Sequence, residues 1–322
     1  MMGILQFESL FQERIWGGRA LADSFGRALP AGQIIGESWE IVDRPEAQSR
    51  VAKGPHAGAS LRGLIETHGA EVMGPSWQAN RPFPILVKWL DCRERLSLQV
   101  HPPAARAPAL RGEPKTENWF IAGASPDAAL IVGLRPGVDQ AQFERALDQG
   151  VLETCVNRFA VGVGDSVLVE SGTVHAIDGG NLILEIQQNS DTTYRVYDWG
   201  RTGLDGRPRT LHRREALASI LWEQPAPPLV RAAPVAAVLA DCAEFRIRRQ
   251  PLDRGARVTF AGGQQPRLLH VVRGRVGEAA TGVVLTAGDN VLLPYSDGFT
   301  FTASGDSLLL VTENFTSAPR SA

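Results

Sequence analysis

Residues 151–200 and 236–316 read as strand and tight turn throughout: short apolar runs, each closed by a Gly or Asp turn. Spacing of this kind belongs to sandwiches and barrels. An internal repeat links the two stretches. Gly164-Asp165 opens a run that leads to Glu170, Gly172 and His175. Gly288-Asp289 opens a run that leads, at the same spacings, to Pro294, Ser296 and Phe299. The expected fold class is therefore mainly β: two jelly-roll-like barrels, with a few short helices inserted in or beside the first. The expected division is 1–222 for the first domain, 223–235 for a linker carrying Pro225, Pro227, Pro228 and Pro234, and 236–322 for the second. Phe299 stands where His175 stands, so a shared fold leaves the second barrel without that group.

Three helices are predicted. Ser60 caps the first, with Leu61, Leu64, Ile65 and His68 on one face and Gly69 as its stop. Asp139 caps the second, with Phe143, Ala146 and Leu147 inward and Gly150 at its end. The third covers 213–222, with Leu217, Ile220 and Leu221 on one face. Earlier in the chain, Arg14-Ile15-Trp16-Gly17-Gly18 reads as a turn with an aromatic plug, and 36–42 as a strand. Glu37 lies there beside Trp39, an arrangement that suits a sugar pocket or a rim salt bridge. Residues 83–90 form a β-rich run. Lys88 within it reads as a phosphate contact or as the mark of an edge strand.

Composition narrows the partners. A formal net charge of −2 gives no sign of a nucleic-acid-binding or membrane-binding surface, so an anionic ligand needs a local cluster of cations. Cys92, Cys155 and Cys242 are odd in number and far apart, which fits reduced thiols in a cytoplasmic protein. No apolar run approaches the length of a membrane span.

The chemistry starts at Leu96-Ser97-Leu98-Gln99-Val100-His101-Pro102. The two-residue period puts a hydroxyl, an amide and an imidazole on one face of a strand and three apolar side chains on the other. Pro102 ends it. In Lys115-Thr116-Glu117-Asn118-Trp119 the alternation places Lys115, Glu117 and Trp119 together. Gln99, His101, Glu117 and His175 are then four groups of metal-ligand type on strands or strand ends. Two imidazoles and a carboxylate suit a catalytic zinc ion with a position left for substrate.

Gly164-x5-Glu170-x-Gly172-x2-His175 resembles the second motif of the cupins, small jelly-roll barrels that hold a metal, with Glu170 where that family has Pro. More specifically, the chain resembles the type I phosphomannose isomerases of the shorter bacterial kind. The resemblance rests on Gly36-Glu37-Ser38-Trp39, the Leu96–Pro102 stretch, Lys115-Thr116-Glu117-x-Trp119, Ser171-Gly172-Thr173-Val174-His175-Ala176, and the run from Gln187 to Asp198. It departs at Pro114, which stiffens the loop before Lys115.

This resemblance implies one zinc ion per chain and the interconversion of mannose 6-phosphate and fructose 6-phosphate. His101, Glu117 and His175 match metal ligands, and Gln99 a ligand in longer members. Arg195 matches the catalytic arginine, and Lys115 and Asp191 match groups proposed for proton transfer. Ser97 and Lys88 match positions implicated in phosphate binding, and Glu37 joins them as a substrate contact. A base for this chemistry needs a pKa near neutral, which Lys115 meets if the metal and Arg195 depress it. Two other classes compete. A non-catalytic sugar-phosphate-binding regulatory cupin keeps the metal site without the proton-transfer groups. An iron-dependent cupin oxygenase has no need of Lys115 and Arg195. His56, His212 and His270 lack a partner motif and read as surface or strand residues.

Overall fold

The polar side of the opening strand faces inward. The computed structural model describes residues 1–316; residues 317–322, the end of the expected second domain, lie outside the described residues. Leu98–Val100 is one strand of a five-stranded sheet whose order is Val156–Ala160, Ala129–Leu134, His175–Ile177, Leu98–Val100, Tyr194–Tyr197. Leu98 and Val100 pack outward with Ile131, Val174 and Ala176 beneath helix Gln140–Gln149 and helix Arg213–Ser219. Leu130, Val132 and Ile177 point the other way, into a core shared with Trp119, Ile121, Val167 and Ile183. Those residues belong to a second sheet, Leu229–Val230, Ser166–Val169, Glu117–Ala124, Asn181–Gln188, then Ile85–Cys92, Ile35–Ile41 and Leu10–Gly18. Helices cover the apolar side of Leu98–Val100, so its polar side is free to line the space between the sheets. Leu96 precedes the strand and joins the inner core instead.

The chain forms two units. One comprises Phe11–Ser38 and Lys88–Ala232; the other comprises Met1–Leu10, Trp39–Val87 and the residues from Ala233 onward. A single boundary at 223–235 does not describe this division, because residues 1–10 and 39–87 group with the C-terminal part. One cause is strand Leu5–Gln6, which pairs with Asn290–Leu293. Pairing across so long a separation leaves no local signal in the sequence. Within the expected linker, Leu229–Val230 adds a short strand beside Ser166–Val169.

The internal repeat is visible bond by bond. Gly164 donates to Ile121 O (2.8 Å), and Ile121 N donates to Asp165 O (2.9 Å). Gly288 donates to Val271 O (2.8 Å), and Val271 N donates to Asp289 O (2.9 Å). Both glycines have positive φ, +93° and +96°, a conformation in which a Cβ is strained. The strand registers also correspond: Val169 opposes Glu117, and Leu293 opposes Arg267. Arg267 thus occupies the place of Glu117, and Phe299, buried in the second core, that of His175.

The three expected helices start where expected, and the first and third stop elsewhere. Ser60 Oγ accepts from Gly63 N (3.1 Å), but helix Leu61–Met73 runs past Gly69 through a break at His68 and ends at Gly74. Buried Val72 and Met73 give it apolar surface worth continuing for. Asp139 forms a full capping box on Gln140–Gln149, an arrangement worth about 1 kcal/mol, and Gly150 closes it in the left-handed conformation. The last helix ends at Ser219, with Ile220 extended but still buried. Residues 14–18 are not a turn: they belong to strand Leu10–Gly18. A Cβ at Gly17 would strike the Ile35 and Gly36 backbone, so this glycine permits close strand approach. Among the described residues no helix is long and apolar enough to cross a membrane.

His270, expected on a surface or strand, is fully buried on strand Arg267–Arg273. Its Nδ1 lies 2.7 Å from Asn290 Oδ1 and its Nε2 3.0 Å from Thr312 Oγ1. Burial depresses its pKa from 6.5 to about 4, against a smaller opposing effect of Asn290. The unfolded chain therefore binds a proton between those two values that the folded chain refuses. This contribution to stability is complete above pH 6.5 and is lost as pH falls toward 4. His270→Gln should flatten the acid side of a plot of denaturation midpoint against pH in that window. Parallel curves for the two proteins would show that His270 is not the titrating group.

Candidate active site

Three strands deliver three side chains to one buried point. His101 follows Leu98–Val100, Glu117 opens Glu117–Ala124, and His175 opens His175–Ile177. Their ligand atoms lie within 4.8 Å of one another, and all three side chains are buried. Each imidazole is oriented by a carbonyl. Thr192 O lies 2.7 Å from His101 Nδ1, and Thr173 O lies 2.8 Å from His175 Nδ1. A carbonyl can only accept, so each Nδ1 carries the proton and each Nε2 presents a lone pair. Both Nε2 atoms face the Glu117 carboxylate at 3.4 Å. Neither Nε2, nor either Glu117 oxygen, has a hydrogen-bond partner of good geometry.

Four acceptors therefore face one another without a proton between them. A buried arrangement of that kind is costly unless a cation fills it. Protonating an imidazole is resisted. Burial, then the Lys115 charge, drives His101 down to about 3 despite Glu117 nearby, and burial lowers His175 as well. Burial pushes the Glu117 carboxyl up, but Lys115 and then the two imidazoles outweigh it, and its pKa falls well below 4.5. Neutral imidazoles and an ionised carboxylate are the states a metal needs. The group can hold a divalent cation, and two nitrogens with one carboxylate oxygen suit zinc.

A cavity of about 430 Å³ lies beside this point. Ser97, Gln99, Lys115, Glu37, Lys88, Asp191 and Arg195 all line it, so the structure brings every remaining expected site residue to one pocket. Gln99 sits opposite both His175 and Arg195 in the strand register. Arg195 Nε donates to Ser97 Oγ (3.3 Å), and the Arg195 backbone N donates to His212 Nδ1 (3.2 Å). His212 is thus a clasp on Arg195, not a surface residue. Lys88 is buried within an interior strand, between carboxylates: 3.8 Å from Glu37, 3.7 Å from Glu185 and 4.0 Å from Asp191. That setting rules out an edge strand and surrounds its charge with negative groups.

Without a cation beside Glu117, Lys115 is set toward its charged form. Burial pulls its pKa down, yet Glu117, Glu185 and Asp191 more than offset this, and it is raised above 10.5. Its ammonium lies 3.0 Å from Glu117 Oε2. These are the chain's own groups alone; a cation held by Glu117 would take up the charge that raises Lys115 most. Glu185 is the group that sequence reasoning missed. It is buried, accepts from Trp119 Nε1 (3.0 Å), and is raised by burial against the pull of Lys115. Its signal was a lone carboxylate in the apolar run Asn181–Gln188, the counterpart of Lys88 in Ile85–Cys92.

Comparison with known proteins agrees with this geometry. Residues 4–130 match the model of the phosphomannose isomerase type I catalytic domain. The mannose-6-phosphate isomerase ManA of Bacillus subtilis is 37% identical over 306 residues, covering 91% of this chain and 94% of that protein. The chain belongs to the type I phosphomannose isomerase family. Membership of this family makes it an enzyme, an isomerase. The probable mannose-6-phosphate isomerase GmuF of B. subtilis is 40% identical over 218 residues, 67% of this chain and 68% of that protein. The crystal structure of a B. subtilis mannose 6-phosphate isomerase superposes with a TM-score of 0.85 at 30% identity, covering 96% of this chain and 99% of that one. The motifs that suggested a phosphomannose isomerase are those that supply the buried group and its pocket.

A divalent cation titrated into chelator-treated protein should raise the melting temperature, since it binds only the folded arrangement. His175→Ala should abolish that rise while leaving a folded protein. A variant that still gained stability from the cation would mean that another set of donors holds it.

Proposed function

We propose that this protein is a zinc-dependent aldose–ketose isomerase that interconverts mannose 6-phosphate and fructose 6-phosphate through an enediol. The observation that carries this reading is the set of four inward-facing acceptors from His101, Glu117 and His175, placed beside a pocket of opposed charges in a member of this family. One zinc ion per chain, held by His101, Glu117 and His175 with Gln99 adjacent, would supply a fixed positive charge to polarise the sugar carbonyl.

The chain's residues supply the rest. Isomerisation takes a proton from the carbon beside the carbonyl and returns one to the carbonyl carbon. Asp191 and Glu185 are the pocket carboxylates available to accept it beside Lys88. Lys115, on the pocket wall beside Glu117, carries a proton to or from the sugar as charge grows on its oxygen. Arg195 stabilises that charge from the pocket wall, its backbone fixed by His212. Glu37 and Lys88 hold the carboxylate side of the pocket in place, and Ser97 offers a hydroxyl to the substrate. Lys115, Asp191 and Arg195 are groups that a sugar-phosphate sensor would not need, which supports the enzyme over the regulatory alternative.

On this reading the unit of 11–38 and 88–232 is catalytic. The barrel of 236–316 is structural, because Arg267 and Phe299 stand where a carboxylate and an imidazole would be required. Three unpaired cysteines fit a cytoplasmic enzyme.

Fructose 6-phosphate formation from mannose 6-phosphate should be lost with a chelator and restored by zinc. Arg195→Ala should retain the metal and lower kcat by roughly two to three orders of magnitude. Activity that survives metal removal would defeat the zinc reading, and normal turnover in Arg195→Ala would remove that residue from the mechanism.

A further inference from the structure

The pocket's charges are segregated. Its three carboxylates, Glu37, Glu185 and Asp191, all lie around Lys88. Arg14 is spent on the same side: Nε and Nη2 donate to Glu37, and Nη1 to Glu13 O. A second group on the lining is Ser97, Arg195 and Arg209. Arg195 gives Nε to Ser97 and Nη1 to Thr210 O (2.9 Å), and it has no carboxylate partner among the described residues. Arg209 gives Nε to Asp198 Oδ2 (2.7 Å) and Nη2 to Asp198 Oδ1. Asp198 also takes Nη2 of Arg201 (2.7 Å), whose Nε and Nη1 go to the carbonyls of Asp198 and Arg95.

Two consequences follow from this count of donors. Arg195 Nη2 and Arg209 Nη1 are the guanidinium nitrogens in this group without a protein acceptor among the described residues. Asp198 neutralises only one of Arg201 and Arg209, so together with Arg195 they leave two uncompensated positive charges. Burial, and next the charge of Arg209, already press the Arg195 pKa below 12.5, which a bound anion would relieve. A phosphate dianion has the matching charge and accepts hydrogen bonds from several donors at once.

We propose that Arg209, held rigid by Asp198, binds the phosphate of the substrate and sets the preference for phosphorylated over neutral sugar. This rests on the isomerase reading above. Lys88, amid its three carboxylates, then has no part in holding the phosphate: its role is to keep those carboxylates together. Arg201, outside the pocket lining and with each of its three nitrogens bonded, shares Asp198 with Arg209.

The test uses the zinc-loaded enzyme, with Arg209→Ala and the bulkier Arg209→Gln in case the smaller variant does not fold. Kinetics with mannose 6-phosphate and with unphosphorylated mannose are compared, and binding of inorganic phosphate is measured by calorimetry. The expected result is a rise of about 10- to 100-fold in KM for mannose 6-phosphate and in Kd for phosphate, the loss of one charge-assisted contact. The kcat should stay within about threefold, and any rate with mannose should not change. Wild-type KM and Kd in both variants would overturn the proposal, as would an equal loss with both sugars, which marks a structural role. If the unaltered enzyme isomerised neither sugar, the isomerase reading would fail, while the calorimetric result would still decide whether Arg209 holds phosphate.

Discussion

A carboxylate buried between two imidazoles that cannot give it a proton is the constraint on which this site depends. Thr192 O and Thr173 O fix the two Nδ1 protons, which turns both Nε2 lone pairs toward Glu117. Removing such a charge from water costs several kcal/mol unless an opposite charge is supplied. Lys115 supplies one at 3.0 Å, yet it leaves both oxygens and both nitrogens without a well-formed hydrogen bond. The rest of the first unit serves this arrangement. Helices cover the outer apolar side of the Leu98–Val100 strand, and the polar side is thereby turned toward the space between the two sheets.

The repeat around Gly288 shows what the same backbone does without that demand. It keeps the Gly-Asp turn, the same pair of backbone bonds and the same strand register. Where the first barrel has Glu117, it has Arg267, a cation covalently in place that pairs with Glu313. Where the first has His175, it has Phe299 packed among apolar neighbours. An apolar filling and a built-in cation remove any need for a metal there. The contrast supports reading Glu117 and His175 as functional, because the fold forms without them.

Much of this was legible in the chain. The alternation of Leu96–Pro102 and the frame from Gly164 to His175 act over a few residues, where strand period and turn chemistry operate directly. Lys115, Glu117 and Trp119 share a face for the same reason. What escaped was set by partners remote in sequence. Gly17 looks like a turn residue until the backbone of Ile35 and Gly36 is brought against it. His270 and His212 find partners only after folding, at Thr312 and at the Arg195 backbone. Glu185 and Lys88 are each an oddity in an apolar strand, and only the sheet makes them neighbours. The charges around Lys115 were equally hidden, because two of its three carboxylates are distant in sequence.

Crystals of the protein grown with zinc, measured on both sides of the zinc absorption edge, test the central claim most directly. One anomalous peak per chain is predicted between His101 Nε2, His175 Nε2 and the Glu117 carboxylate, at about 2.0–2.2 Å from each. A peak at other residues, or imidazoles turned from Glu117 to hydrogen-bond elsewhere in the protein, would contradict it.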